Sequence, residues 1–251
     1  QLLKEPSKFK IWHAPTYNVG SSPDWVANHL NHIYQKTYSA EVVIGENQVT
    51  IKTKIALGGP ANPPIIKADV DYIFANDGTL TISFCGDVRE NAPTLPRLGI
   101  ELIMPEGCEQ IKYFGLGTIE TYPDKFKAAR FGEYELTVSE NFVHYVRPQE
   151  NSSHYKTRRV IVGKNGGYGI FVEGAGATKD FSFNASHISA EQLTEKKHDF
   201  ELENEGKTFF NIDARFTALS EWGELDIDKE NPRLFNDKHI EFSFKLSAKE
   251  V

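Results

Sequence analysis

Alternation of apolar and polar residues is the main pattern in this chain, and it predicts β-strands. Residues 67–75 and 79–84 both alternate, and the Asn-Asp-Gly turn at 76–78 between them is typical of a hairpin. Residues 41–57 predict two more strands, interrupted by a turn at 45–47. We therefore expect antiparallel hairpins in the first third of the chain.

Further short strands follow at near-regular spacing. Residues 96–104 and 109–116 predict another strand pair, and residues 163–176 predict a strand flanked by glycine turns. Residues 58–64 hold two glycines and three prolines, so they predict a loop. This pattern predicts an all-β fold, either a sandwich or a barrel. No boundary is evident inside residues 1–251, so we expect a single domain.

Helical patterns are scarce. A short helix is predicted over residues 23–32, with Ser22 as its N-cap. A second is predicted over residues 189–197, where Ser189 is the N-cap and Leu193 faces the core.

Composition narrows the class of protein. The 251 residues include 17 Phe and 10 Tyr but one Met, which favours strands. The net charge of −7 argues against a nucleic-acid partner, and no apolar run is long enough for a membrane span. Cys85 and Cys108 are too few for a disulfide framework, so we expect reduced thiols in or near the core. No signal peptide is visible, and the start at Gln1 looks like a cut edge.

The run Gly115-Leu-Gly-Thr-Ile-Glu-Thr-Tyr-Pro-Asp-Lys125 fits neither the strand nor the helix period and predicts a fixed, irregular turn. It resembles the pattern Gly-Leu-Gly-Pro-x-Glu-x-Tyr-Pro-Asp-Arg. That pattern is typical of the C-terminal sandwich domain (small-chain domain, domain 5) of the long bacterial β-galactosidases of glycoside hydrolase family 2. The chain departs from it at Thr118 and Lys125.

Other segments resemble the same family in the same order, from about Trp12 to Phe244. They are His13-Ala-Pro-Thr-Tyr-Asn18, Leu95-Pro-Arg-Leu-Gly99, Tyr145-Val-Arg-Pro-Gln-Glu-Asn151 with Thr157-Arg158, Phe181-Ser-Phe-Asn-Ala-Ser186, Leu193, His198 and Asn211-Ile-Asp213. The first of these resembles the family's Arg-Ala-Pro-x-Asp-Asn segment but has Tyr17 where aspartate is common. The resemblance implies a large antiparallel two-sheet β-sandwich (a supersandwich) like that of the galactose mutarotases. It also implies that the first strands of that sandwich are missing here.

The resemblance implies a part of an enzyme rather than a whole one. The family's catalytic barrel, with its two catalytic glutamates, lies N-terminal to this region. We therefore expect no catalytic residue in this chain, which would be a fragment or a subunit of a split enzyme. Its partner would be the rest of a β-galactosidase that hydrolyses terminal β-galactosides such as lactose with retention. That parent is expected to be a homo-oligomer, with Mg and Na bound by the absent domains. We expect it in the cytoplasm, with the periplasm as the alternative.

Two places are expected to border the sugar. The resemblance implies that Trp222 stacks on substrate, although the loop before it is shorter than in the family and an ordinary packing role stays open. It also implies an active-site loop that includes Tyr17, Asn18 and Gly20, with Gly20 as the hinge. The alternative is an ordinary surface loop.

The run at 115–125 has a structural interpretation from its residues alone. Glu120 and Asp124 are expected to accept backbone N–H groups while Tyr122 packs. Arg130 and Arg158 are candidate partners for these carboxylates.

Paired acidic residues and histidines give weaker signals. Glycoside hydrolysis uses two carboxylates, but carboxylates two residues apart in charged sequence predict a solvated strand face. A solvated face is also favoured over a metal site for two histidines that have no third ligand nearby. The acidic pairs are Glu133 with Glu135 and Asp226 with Asp228, and the histidines are His29 and His32.

Two other functions stay open at this point. A stand-alone carbohydrate-binding or scaffolding module could use Trp12, Trp25 and Trp222 as stacking surfaces. A mutarotase would need a positioned acid and base, and no motif here pairs them.

Overall fold

The structure, a computed structural model, describes residues 1–19, 22–220 and 234–251. Within these ranges most of the regular secondary structure is strand. The strands are β1 Lys8–Lys10, β2 Tyr34–Ile44, β3 Gln48–Gly58, β4 Ile66–Ala75, β5 Leu80–Val88, β6 Arg97–Pro105, β7 Gln110–Gly117, β8 Arg130–Thr137, β9 Ser153–Thr157, β10 Arg159–Gly163, β11 Tyr168–Gly174, β12 Phe181–Ser186, β13 Lys207–Phe216 and β14 His239–Glu250. The helices are α1 Ser22–Ala27, α2 Val138–Asn141 and α3 Ala190–Glu195, with 3₁₀ turns at Leu30–His32 and Asp199–Glu201.

The strands form two antiparallel sheets. The five-stranded sheet has the order β1-β6-β13-β12-β9, and the nine-stranded sheet has the order β2-β3-β4-β5-β14-β11-β10-β7-β8. Side chains from both sheets make one apolar core, in which Phe84 and Phe244 of the larger sheet lie with Phe183 and Phe210 of the smaller one. The prediction of an all-β, two-sheet antiparallel sandwich is confirmed.

The local strand predictions are largely confirmed. Residues 66–75 and 80–88 pair as β4 and β5 across the predicted turn, and β2 pairs with β3 around the turn at 45–47. Alternation of buried and exposed residues in β5 places Ile82 and Phe84 in the core and Cys85 on the outer face. The expectation that both thiols lie in or near the core is therefore wrong for Cys85, which is exposed, while Cys108 is buried.

The predicted pairing of residues 96–104 with 109–116 is wrong. Both segments are strands, but β6 pairs with β1 and β13 in the smaller sheet, whereas β7 pairs with β8 and β10 in the larger one. Eight of the nine residues of β6 are buried, so this strand is covered on both faces, unlike the alternating β7. The short link at 106–109 therefore crosses between sheets.

The predicted helices are partly confirmed. Ser189 caps α3 by accepting the Gln192 N–H at 3.1 Å, and Leu193 is buried as expected. The other helix is shorter than predicted, because His29 has a left-handed backbone (φ 55°, ψ 36°) that ends it after α1. His29 and His32 therefore do not share a helix face. Within the described residues, no helix has both the length and the apolar character needed to cross a bilayer.

Candidate functional site

Two of the family-like segments meet in a buried ion pair. Arg97, at the start of β6, and Asp213, in β13, are both almost fully buried. Arg97 Nε donates to Asp213 Oδ1 at 2.8 Å, and a second guanidinium nitrogen donates to Oδ2, so the contact is bidentate. Gly99 is required beside this pair, because a Cβ there would overlap the Ile212 carbonyl oxygen and the Asp213 carboxylate. The two segments thus form one structural unit.

Glu150 lies in the same buried region. Burial raises its pKa to about 8, with Asp213 and Glu120 adding to the rise and Arg97 opposing it. It is therefore protonated and neutral at pH 7. A carboxylic acid with such a pKa often marks a catalytic acid. Here the side chain is only 3% exposed, so it lies below the surface and out of reach of a glycosidic oxygen.

The run at 115–125 is built around Glu120, as predicted. Glu120 Oε2 accepts the Ser152 N–H at 2.8 Å, and Oε1 accepts from Lys125 Nζ at 2.5 Å and from the Tyr145 hydroxyl. Tyr122 is fully buried, which confirms its packing role. The run thus holds the backbone that enters β9. The Gly117–Thr118 peptide bond is cis, at the position where the family pattern has proline.

The arginine partners proposed for these carboxylates are wrong. The cation beside Glu120 is Lys125, at the position where the family pattern has arginine. The Arg158 guanidinium instead lies over the Phe131 ring, 4.8 Å from its centroid. The Lys125–Glu120 pair could not be predicted from the sequence, because residues five apart are not neighbours on one face of a helix or a strand.

Asp124 connects the run to a second segment. Its Oδ1 accepts the Leu219 N–H and its Oδ2 accepts the Ser220 N–H, both at 3.1 Å. The Thr16 hydroxyl donates to the Leu219 carbonyl at 2.5 Å. Three segments distant in sequence are therefore fastened at Leu219. We call Thr16, Asp124, Leu219 and Ser220 the loop junction.

The predicted active-site residues sit next to the loop junction. Tyr17 is 86% exposed and Asn18 is also exposed, directly after Thr16. Tyr17 and Asn18 thus lie at the surface next to Thr16, which is bonded to Leu219 in the segment that precedes Trp222 in sequence. Gly20 and Trp222 themselves lie outside the described residues, so their predicted roles as hinge and sugar platform stay predictions.

His13 and two tryptophans lie under this surface rather than on it. His13 stacks on Phe216 with 4.9 Å between ring centroids, and Trp25 meets its edge. Burial lowers the pKa of His13 to about 3, so the ring is neutral at physiological pH. Trp12 and Trp25 are buried, and their indole N–H groups donate to Thr194 Oγ1 and the Thr94 carbonyl. Neither tryptophan is available to stack on a sugar.

The acidic pair on β8 is solvated, as expected. Glu133 and Glu135 are both exposed, and their partners are Arg159 on β10 and Lys112 on β7. Asp226 and Asp228 lie outside the described residues.

Sequence reasoning missed the Arg97–Asp213 pair and the acid of Glu150. The available signal was a charged residue inside otherwise apolar strand sequence, as in Leu95-Pro-Arg-Leu-Gly99 and Asn211-Ile-Asp213. A charge in such a place must be paired. Its partner could not be identified, because Arg97 and Asp213 are 116 residues apart.

Comparison with solved structures concerns the fold. The galactose 1-epimerase from Lactobacillus acidophilus NCFM overlaps 84% of this chain and 66% of its own, with a TM-score of 0.46 and 6% sequence identity. A GalM/aldose epimerase homologue from C. elegans overlaps 84% of this chain and 69% of its own, with a TM-score of 0.44 and 11% identity.

Comparison of sequences is more specific. The β-galactosidase of Staphylococcus xylosus is 32% identical over 246 residues, which are 98% of this chain and 24% of that protein. The β-galactosidase of Actinobacillus pleuropneumoniae is 31% identical over 219 residues, 87% of this chain and 21% of that protein. The chain thus spans less than a quarter of the length of these relatives. A family model described as beta galactosidase small chain matches residues 1–246, and the chain therefore belongs to the β-galactosidase small chain family.

Proposed function

We propose that this chain is the non-catalytic C-terminal part of a β-galactosidase that hydrolyses terminal β-galactosides, such as lactose, with retention. In this proposal it forms one wall of the active site and supports assembly with the catalytic part, in an enzyme that is a homo-oligomer. The loop junction supports the proposal most directly. It joins the loop that carries the exposed Tyr17 and Asn18 to the segment that precedes Trp222 in sequence, and these are the residues that we expect near the sugar from the family resemblance.

The chemistry of the described carboxylates agrees with a non-catalytic role. A retaining glycosidase needs two carboxyl groups about 5–5.5 Å apart, open to the substrate on either side of the scissile bond. Glu133 and Glu135 are engaged by basic side chains on the outer face of a strand, and Glu150 is buried. The acid and the nucleophile would therefore come from the catalytic part, as would the ligands of Mg and Na. This chain would contribute positioning, which is a substantial part of enzymatic rate.

A positioned aromatic at residue 17 is suited to sugar binding. A tyrosine ring can cover the C–H face of a pyranose while its hydroxyl forms a hydrogen bond. The backbone on both sides of it is held by the Val19 N–H, which donates to the Thr16 carbonyl at 3.3 Å, and by the Thr16 hydroxyl bond to Leu219. The ring is thus exposed on a loop that is bonded to Leu219 through Thr16. Trp222 would supply a second aromatic surface.

The experiment is a domain exchange. Residues 1–251 replace the matching region of the Staphylococcus xylosus β-galactosidase, and the chimaera is compared with that enzyme truncated at the same point and with the isolated chain. Hydrolysis of a chromogenic galactoside is measured in each. We expect activity in the chimaera and none in the truncated enzyme or the isolated chain.

Substitutions in the chimaera test whether this chain borders the active site. Tyr17→Ala should raise KM or lower kcat/KM by about tenfold, the loss of about 1.4 kcal/mol of sugar contact. Tyr168→Ala is the matched control, since this tyrosine is also exposed but lies at the start of β11 in the nine-stranded sheet. Hydrolysis by the isolated chain would refute the non-catalytic role. Galactose binding by the isolated chain, with an inactive chimaera, would favour a stand-alone carbohydrate-binding module.

A further inference from the structure

The outer face of the nine-stranded sheet carries a thiol, an imidazole and carboxylates in adjacent register. Cys85 and Asp87 lie on β5, and His239 and Glu241 lie opposite them on β14, where Cys85 pairs with Glu241 and Asp87 pairs with His239. The neighbouring residues Phe84 and Phe242 point into the core, so these four side chains point outward. All four are exposed. Sheet register alone therefore gathers them on one small patch.

Three donor atoms in this patch lie within 3.9 Å of one another. Cys85 Sγ lies 3.9 Å from His239 Nε2 and 3.6 Å from Glu241 Oε1, and Nε2 lies 3.1 Å from that oxygen. Around a tetrahedral zinc ion with ordinary bond lengths, the sulfur–nitrogen and sulfur–oxygen distances would be about 3.6 Å and the nitrogen–oxygen distance about 3.4 Å. Each edge of the triangle is thus within about 0.3 Å of the tetrahedral arrangement.

The other ring nitrogen of His239 is also held. Asp87 Oδ1 lies 2.7 Å from His239 Nδ1. With the proton on Nδ1, the lone pair of Nε2 faces the thiol and the Glu241 carboxylate. A carboxylate behind a histidine fixes the ring and increases its basicity at metal sites. Asp87 therefore acts as an orienting group for a metal-binding nitrogen.

Charge in this patch favours a cation. Glu241 and Asp87 are acidic, and Cys85 becomes anionic when it binds a metal, so a divalent ion would neutralise local repulsion. Asp69 lies opposite Cys85 on β4 and carries its own cation, Lys54, with 2.8 Å between Lys54 Nζ and Asp69 Oδ1. Asp69 thus has a basic partner. Within the described residues the acidic groups around His239 form ion pairs with that imidazole alone, although Lys67 lies opposite Asp87 on β4.

We propose that Cys85, His239 and Glu241 form a surface site for Zn²⁺, with Asp87 holding His239 and water in the fourth position. Thiolate, imidazole and carboxylate are all zinc ligands, and the thiolate disfavours Mg²⁺ and Ca²⁺. On binding, the thiol proton and any proton on Nε2 are released to solvent, and no redox change occurs. The site lies on a different sheet from β6 and β13 and is independent of the proposed galactosidase role.

Cobalt is the first probe, because Co²⁺ bound to a thiolate absorbs strongly in the near ultraviolet by charge transfer. The full chain, kept reduced, is titrated with Co²⁺, and Zn²⁺ is then added as competitor. We expect one equivalent of Co²⁺, a thiolate band and complete displacement by Zn²⁺. Cys85→Ser should abolish the band. His239→Gln should weaken Zn²⁺ binding by more than about tenfold, and Asp87→Asn should weaken it by about 10–100-fold.

Two control variants make the test selective. Cys108→Ala removes the other thiol, which is buried, and should leave the band unchanged. His144→Gln removes another exposed histidine beside a carboxylate, since Asp199 lies 2.9 Å from its Nδ1, but one outside the three-donor cluster. It should leave the affinity unchanged. Absence of a thiolate band in the wild-type chain would overturn the proposal. So would a band that survives Cys85→Ser, or equal losses in His144→Gln and His239→Gln.

Discussion

Removal of one charge from the buried Arg97–Asp213 pair should strongly destabilise this chain. In Asp213→Asn the guanidinium keeps its charge but loses its bidentate partner in a place where both side chains are at most 1% exposed. An uncompensated buried charge of this kind costs about 3–5 kcal/mol of unfolding free energy. For a protein of this size the corresponding fall in Tm is about 6–20 °C.

Glu150 should reduce the loss of unfolding free energy in Asp213→Asn. Burial lowers the pKa of Arg97, while Asp213 and Glu150 raise it, and Glu150 lines the same small pocket as Arg97. In Asp213→Asn the repulsion from Asp213 is gone, and Glu150 can release its proton and neutralise Arg97. We therefore expect the single variant at the lower end of the range. The double variant Asp213→Asn/Glu150→Gln should lie at the upper end.

The assay is urea unfolding of the full chain at pH 7, followed by the fluorescence of the buried Trp12 and Trp25. Glu135→Gln is the control, because its pair with Lys112 is exposed and should be worth at most about 1 kcal/mol. A loss below about 1 kcal/mol in the double variant would refute the reasoning. Equal losses in Glu135→Gln and Asp213→Asn would refute it as well.

Three other predictions follow from single contacts. Asp124→Asn in the chimaera should lower kcat/KM by about tenfold, because it weakens the hydrogen bonds to Leu219 and Ser220. Asp77→Asn is the control and should leave kcat/KM unchanged. Asp77 also accepts a backbone N–H, but in the β4–β5 turn. Gly99→Ala should lower Tm or prevent folding, because the added methyl overlaps backbone. Burial lowers the pKa of His154 to about 4, whereas its pKa in the unfolded chain is about 6.5. Between these two pH values only the unfolded chain binds the proton, so the free energy of unfolding decreases as the pH is lowered. His154→Gln should remove about 1.4 kcal/mol per pH unit of that slope, measured by urea unfolding at several pH values.

Local patterns in the sequence predicted what depends on near neighbours. The β4–β5 hairpin follows from alternation around an Asp-Gly turn, and the Ser189 cap follows from its position before an apolar helix face. The partnership of β6 with β13 does not follow, because sheet membership depends on contacts more than 100 residues apart. The same limit explains why β6 and β7, adjacent in sequence and both strands, were wrongly paired.

The candidate site shows the same division between local and distant contacts. The roles of Glu120 and Asp124 as acceptors of backbone N–H groups were predictable, since a run with no regular period must satisfy its backbone through side chains. The identity of those backbone partners was not, because Asp124 reaches Leu219, 95 residues away. The exposure of Tyr17 was implied by the resemblance alone. Its attachment through Thr16 became visible in the structure.

The family-like segments divide into two kinds, and the division bears on function. Arg97, Gly99, Glu120 and Asp213 are buried or closely packed, so the stability of the fold accounts for them. Tyr17 is different, because a tyrosine that is 86% exposed contributes little to stability in the isolated chain. In the proposed function, such a residue beside the loop junction makes its contacts outside this chain. Substrate or the catalytic part of the enzyme would supply them, and for this reason the Tyr17→Ala chimaera is the sharpest test of the wall proposed here.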